Sequence, residues 1–89
     1  MAKRARMKGK DIYVVYVNGH GASEWSMYPN RVTADAFAHD MKGKGVKIKK
    51  WICKVPLSLY PDWASMTEID MELLTYYIQQ NYPHCVGED

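Results

Sequence analysis

The period of the apolar positions changes along the chain, and the changes mark the elements. From Asp11 to Asn18 the run DIYVVYVN is apolar at every interior position. Its residues are β-branched or aromatic, which suits an extended backbone. In a strand, Ile12, Val14 and Tyr16 share one face while Tyr13, Val15 and Val17 share the other. A strand apolar on both sides is central, or covered on both faces. Asn18-Gly19-His20-Gly21 follows, a turn signal because Asn and Gly tolerate positive φ. A second strand over Ser23–Tyr28 completes a hairpin. It sets Trp25 and Met27 against Glu24, Ser26 and Tyr28, and Pro29 ends it.

The period then becomes helical. Ala34, Phe37, Ala38 and Met41 recur at i, i+3, i+4 and i+7, a narrow stripe whose alanines let a helix lie close on a sheet. The spacing predicts a helix from Ala34 to Lys42, with Thr33 as N-cap and Asp35 in the first turn. Gly43 and Gly45 end it. A third strand is expected over Val46–Val55. There the apolar parity flips between Val46/Ile48 and Trp51/Cys53/Val55, so a bulge at Lys49-Lys50 is expected to restore one apolar face. Ile52, on the opposite parity, leaves that reading open. A connection follows over residues 56–64. Ser65-Met66-Thr67-Glu68 then matches a capping box that opens a second helix, which runs to about Asn81. Met66, Ile69, Leu73, Tyr76 and Tyr77 form one stripe on it; Met71, Leu74 and Ile78 form another. Together they exceed what one sheet face can hide.

The element order is ββαβα. It predicts an α+β fold: a three-stranded antiparallel or mixed sheet with two packed helices. The first helix covers one face, and the second covers the other. Eighty-nine residues fit a single domain. Residues 1–10 read as a flexible basic arm, 11–83 as the domain and 84–89 as a C-terminal tail. The longest apolar run, Ile12–Val17, is far short of a membrane span, and no cleavage site follows it. Two cysteines, Cys53 and Cys85, are too few for a disulfide-stapled scaffold. These features predict a cytoplasmic protein with reduced thiols and no membrane partner.

Charge divides the chain more sharply than its net value of +2 suggests. All 12 Lys and Arg residues fall within 1–54, beside Asp11, Glu24, Asp35 and Asp40. Residues 55–89 carry six acidic residues and no Lys or Arg. Two groups concentrate the positive charge. They are the arm (Lys3, Arg4, Arg6, Lys8, Lys10) and the lysines around the third strand (Lys42, Lys44, Lys47, Lys49, Lys50). Either could contact phosphates of a nucleic acid or an acidic protein partner. The bland alternative is a solubilising tail and a strand edge protected from aggregation. Tyr13 and Trp51 could stack on bases, but both suit core packing better. The acidic residues Asp62, Glu68, Asp70 and Glu72 gather at the start of the second helix. Its dipole favours them there, and docking on a basic protein is the alternative.

Aromatic residues reach 12%, with seven Tyr and three Trp, side chains suited to half-buried surfaces and interfaces. Trp63, Tyr76, Tyr77 and Tyr82 are the candidate protein interface, either with a partner or with a second copy as a homodimer. The competing reading buries that helix between the sheet and the 56–64 connection. No cysteine or histidine spacing makes a metal site, and no glycine-rich phosphate loop or cofactor motif occurs. Cys53 sits in an apolar strand and reads as a small core residue rather than a nucleophile. No catalytic residue is assigned and no cofactor is expected, so the chain reads as a non-enzymatic binding protein.

The stretch MYPNRVTADAFAHDMKGKG followed by VKIKKWICKV resembles the strand–helix–strand pattern of small phage-encoded proteins that take over host machinery. It is similar in particular to a small phage inhibitor of bacterial RNA polymerase. The resemblance covers about a third of the chain. It rests on helix-facing Ala34 and Ala38 and a basic strand, and the long second helix lies outside it. It carries no functional residue across. What it implies is a non-enzymatic inhibitor or adaptor of a host protein, encoded by a phage or mobile element.

Overall fold

The computed structural model of the chain describes residues 9–19 and 21–85. Of the basic arm, Lys3, Arg4, Arg6 and Lys8 lie outside the described residues. The elements run β1 (Gly9–Gly19), β2 (Ala22–Tyr28), α1 (Arg31–Gly43), β3 (Lys47–Pro56) and α2 (Glu68–Asn81). Short 3-10 turns cover Leu57–Leu59 and Pro83–Cys85. This is the α+β order ββαβα around a three-stranded antiparallel sheet, with strands in the order β2-β1-β3. Gly9 and Lys10, grouped with the arm in sequence, are the first residues of β1 and pair with Pro56 and Val55.

β1 is central, and both its faces are buried. Ile12 and Val14 join Met27, Cys53, Val55, Leu74, Ile78 and Cys85 in one cluster. Val15 and Val17 join Ala34, Ala38 and Val46 in the other. α2 therefore covers one side of the sheet and α1 the other, as the two-sided strand requires. The alanines of α1 are the residues pressed to the sheet, with Phe37 and Met41 half-buried beside them.

β3 corrects one expectation. Its pairing with β1 runs unbroken from Gly9↔Pro56 to Asn18↔Lys47, with no bulge at Lys49-Lys50. The parity flip instead serves two cores. Val46 and Ile48 pack on the α1 side, while Trp51, Cys53 and Val55 pack on the α2 side. A bulge is needed only when one face alone is covered.

Both helix starts also shift. α1 begins at Arg31, and its N-cap is Asn30 rather than Thr33. The Asn30 side chain accepts from the Thr33 N–H and from the Thr33 hydroxyl, each at 2.9 Å. Asp35 consequently lies beyond the first turn, and no acidic residue occupies that turn. In α2 the capping box is Thr67 with Asp70, not Ser65 with Glu68. The Thr67 N–H donates to Asp70 Oδ2 at 3.0 Å, and the Asp70 N–H donates to Thr67 Oγ1 at 3.1 Å. Both pairs have the i, i+3 spacing that the motif needs. The helix therefore starts at Glu68, and Leu74 and Ile78 are its buried residues.

Gly19 illustrates how tightly the hairpin end meets the chain entering β3. Its φ is +147°, and a Cβ there would stand 3.2 Å from Val46 Cα. Any side chain would meet both backbone strain and a fixed neighbour.

The packing predicts where stability resides. Ile12→Ala removes a fully buried side chain and should lower the unfolding free energy by about 2–4 kcal/mol in a urea titration. Ile69→Ala, on the outward face of α2, should change it by less than about 0.5 kcal/mol.

Candidate functional site

Two surfaces carry unsatisfied chemistry, and each follows from how an element is seated. The first is the outward face of α2. With Leu74 and Ile78 turned to the sheet, helical geometry turns Ile69, Leu73 and Tyr76 to solvent. They are 68, 52 and 63% exposed. The three repeat at i, i+4 and i+7 and so form one ridge. Exposed Glu68 and Glu72 lie beside it. Leu73 also borders a shallow groove with Tyr60, Pro61, Asp62, Met66 and Asp70, so the ridge and the connection before α2 are one continuous surface.

The aromatic residues assigned to this interface from sequence divide between roles. Tyr76 belongs to the ridge. Trp63 is half-buried and packs against the α2-side core, and its Nε1 is buried with no hydrogen-bond partner. Tyr77 and Tyr82 are half-buried too, and their hydroxyls turn to β3. The Lys54 N–H donates to the Tyr82 hydroxyl at 3.0 Å, and that hydroxyl donates to the Lys54 carbonyl at 3.0 Å. The Tyr77 hydroxyl donates to the same carbonyl at 3.4 Å. Tyr82 thus occupies the edge of β3 at Lys54 as a neighbouring strand would. Trp63, Tyr77 and Tyr82 are thus partly engaged within the domain, and Tyr76 is the one of the four that stands open.

The second surface is the basic side of β3 and α1. A trough runs between them, in two parts of about 550 and 700 Å³. Arg31, Lys42, Lys47 and Lys50 line it, with Asp35 as the acidic side chain. Asp35 bridges the trough: Lys50 Nζ lies 3.1 Å from Oδ1 and Arg31 Nε 3.3 Å from Oδ2. The hydrogen bond from Lys50 holds the Asp35 carboxyl below its ordinary pKa. The bridge is complete at neutral pH and is lost as pH falls through that lowered value.

Ion pairing sorts the predicted lysines. Lys44 meets Asp40 at 3.5 Å, one helical turn away, and Lys50 meets Asp35. Lys54, not among the predicted contacts, meets Asp11 at 2.8 Å. Lys10, Lys42, Lys47 and Lys49 have no ion-pair partner among the described residues. The potential stacking residues are engaged elsewhere. Tyr13 packs on the α1-side core. Trp51 packs on the other core, edge-on to His84 with ring centroids 6.4 Å apart.

A third feature lies in the core. Cys85, read from sequence as part of the tail, is buried against Cys53 with the sulfurs 3.5 Å apart. Both thiols are free. Burial pushes the Cys53 thiol up to about 12 and raises Cys85 as well. The sequence signal for Cys85 was absent because its spacing to Cys53, 32 residues, fits no local motif. Among the described residues no group of three His, Cys, Asp or Glu side chains could hold a metal ion. No helix there is long and apolar enough to cross a membrane.

The thiol environment gives a direct test. At pH 8 a thiol reagent should label Cys53 and Cys85 slowly in the folded protein and rapidly in denaturant, because the reactive thiolate is suppressed by burial. A folded pKa above the ordinary 9.0 also means the neutral thiol stabilises the fold below pH 9. That contribution should decline as pH rises from 9 toward about 12. Labelling at equal rates in both states would exclude the burial. No family model, no curated protein and no solved structure matches this chain.

Proposed function

We propose that this protein is a non-enzymatic binding protein that acts by occupying a surface of another protein. The α2 ridge of Ile69, Leu73 and Tyr76 is the observation that carries the reading. Three large apolar side chains aligned on one exposed helix face lose favourable burial unless something covers them. An amphipathic helix face of this spacing suits a partner's apolar groove. Glu68, Glu72, Asp62 and Asp70 surround it, and residues 55–89 bring no positive charge. The matching partner surface is therefore an apolar patch with a basic rim. Together with the resemblance to phage-encoded host-takeover proteins, this supports an inhibitor or adaptor of a host protein, working in the host cytoplasm.

Leu73→Asp combined with Tyr76→Asp tests the reading, since neither side chain is buried and the fold should persist by circular dichroism. A bacterial protein retained by the wild type should be lost from the double variant. Identical captured sets would sink the proposal. A dimeric mass for the wild type and a monomeric one for the variant, by light scattering, would instead assign the ridge to a homodimer.

A second reading is direct nucleic-acid contact, favoured by Lys42, Lys47 and Lys49, whose charges meet no ion-pair partner among the described residues. Phosphate binding by such a group weakens steeply with salt. A mobility shift at about 50 mM salt that disappears with Lys42→Ala, Lys47→Ala and Lys49→Ala would support it. No shift by the wild type at that salt would dismiss it.

A further inference from the structure

The edge of β3 has a polarity that its capping reveals. In an antiparallel pair, the N–H and C=O of a residue point to the same side, and successive residues alternate sides. The Lys54 N–H and C=O both meet tyrosine hydroxyls, so they point away from β1. Residues of the same parity in the unbroken register, Ile52, Lys50 and Ile48, direct their backbone groups the same way. β3 is an outer strand, and among the described residues tyrosine covers its edge at Lys54 alone. Among the described residues, the stretch from Ile48 to Ile52 is a row of open donors and acceptors.

That row borders the trough. Ile48, Lys50 and Ile52 line its β3 wall, and α1 supplies the opposite wall. Ile52 is 60% exposed although it pairs with half-buried Tyr13 in the register. The side chains of a strand added at this edge would alternate between the trough and the α2 side of the sheet. In the trough they would meet an apolar floor and an excess of cationic groups. Lys42 is the trough cation without an ion-pair partner among the described residues. Lys47 borders the end of the trough but shares the register parity of Lys49 and Cys53, so these two unpaired lysines face the α2 side of the same edge.

We propose that the open edge of β3, from Ile48 to Ile52, receives an extended acidic peptide segment as a fourth antiparallel or parallel strand. Backbone pairing supplies affinity, as in other strand-addition complexes. The lysines select an acidic sequence and turn away basic ones. This surface is separate from the α2 ridge, so one chain could hold two segments at once.

The test uses the whole protein and a labelled short peptide alternating Glu and Val, followed by fluorescence anisotropy at low salt. The peptide should bind, and its Lys/Val counterpart should not. Two further peptides carry N-methyl groups on one or the other set of alternate residues. Methylation of the set that faces β3 should weaken binding about tenfold or more, because it removes the pairing N–H groups. Methylation of the other set should leave binding unchanged. The variant Lys42→Glu/Lys47→Glu should lose the acidic peptide, while Leu73→Asp on the α2 ridge should keep it. Equal binding by both methylated peptides would overturn the proposal, since charge attraction alone would then explain the affinity. So would absence of binding by the unmodified peptide. Displacement by a single-stranded oligonucleotide, together with insensitivity to methylation, would also overturn it and reassign the lysines to phosphate.

Discussion

Burial of β1 on both faces is the constraint on which the rest depends. A small sheet normally hides one face and leaves the other to water. Here Ile12 and Val14 face one helix while Val15 and Val17 face the other, so neither helix is dispensable. The consequences reach the flanking strands. β3 must offer apolar residues on both parities, which is why its pattern changes at Lys49-Lys50 without any break in pairing. α1 must lie close to the sheet, which is why its buried residues are alanines. α2 buries only Leu74 and Ile78 fully, with Tyr77 packed beside them, and leaves Ile69, Met71, Leu73 and Tyr76 exposed.

The fold was legible because the strongest signals were periodic and long. The doubly apolar β1, the alanine stripe of α1 and the helical span ending near Asn81 each announce themselves within a few turns or pleats. Local choices between near-equivalent signals were harder. Asn30 and Thr33 are both good N-caps, and Ser65 and Thr67 each stand three residues before an acid. In both cases the choice shows only in the side-chain bonds: Asn30 takes the Thr33 N–H, and Thr67 pairs reciprocally with Asp70. The candidate surfaces were only half legible. A ridge can be read as Ile69, Leu73, Tyr76 and Tyr77 from spacing, but which members face the core depends on the helix's rotation. That Tyr77 and Tyr82 bond the Lys54 backbone, or that Cys85 reaches Cys53, depends on contacts between residues more than twenty positions apart, for which a single sequence holds no signal.

The charge division also takes on a spatial meaning. α1 and β3 frame a basic trough, while α2 carries an acidic rim around an apolar ridge. Since α1 and α2 cover opposite faces of the sheet, the basic trough and the acid-rimmed ridge lie on opposite sides of it, with Lys47 and Lys49 on the β3 edge between them. Opposite polarity on opposite faces orients the molecule in the field of a charged partner before contact. Within the basic half, Asp35 and Asp40 already neutralise part of the lysine charge, so the effective potential is smaller than the residue count implies.

The two tyrosine hydroxyls on Lys54 have a consequence for the growing chain. Tyr77 and Tyr82 follow Lys54 by 23 and 28 residues. During synthesis β1, β2 and β3 can therefore be complete while the edge at Lys54 is bare and the Ile12–Val14 face has no cover. Unpaired edges and exposed apolar faces are what make partly folded chains associate. A chain that stopped short of Tyr77 would keep both the bare edge and the bare face, and the docking of α2 is what ends that exposure.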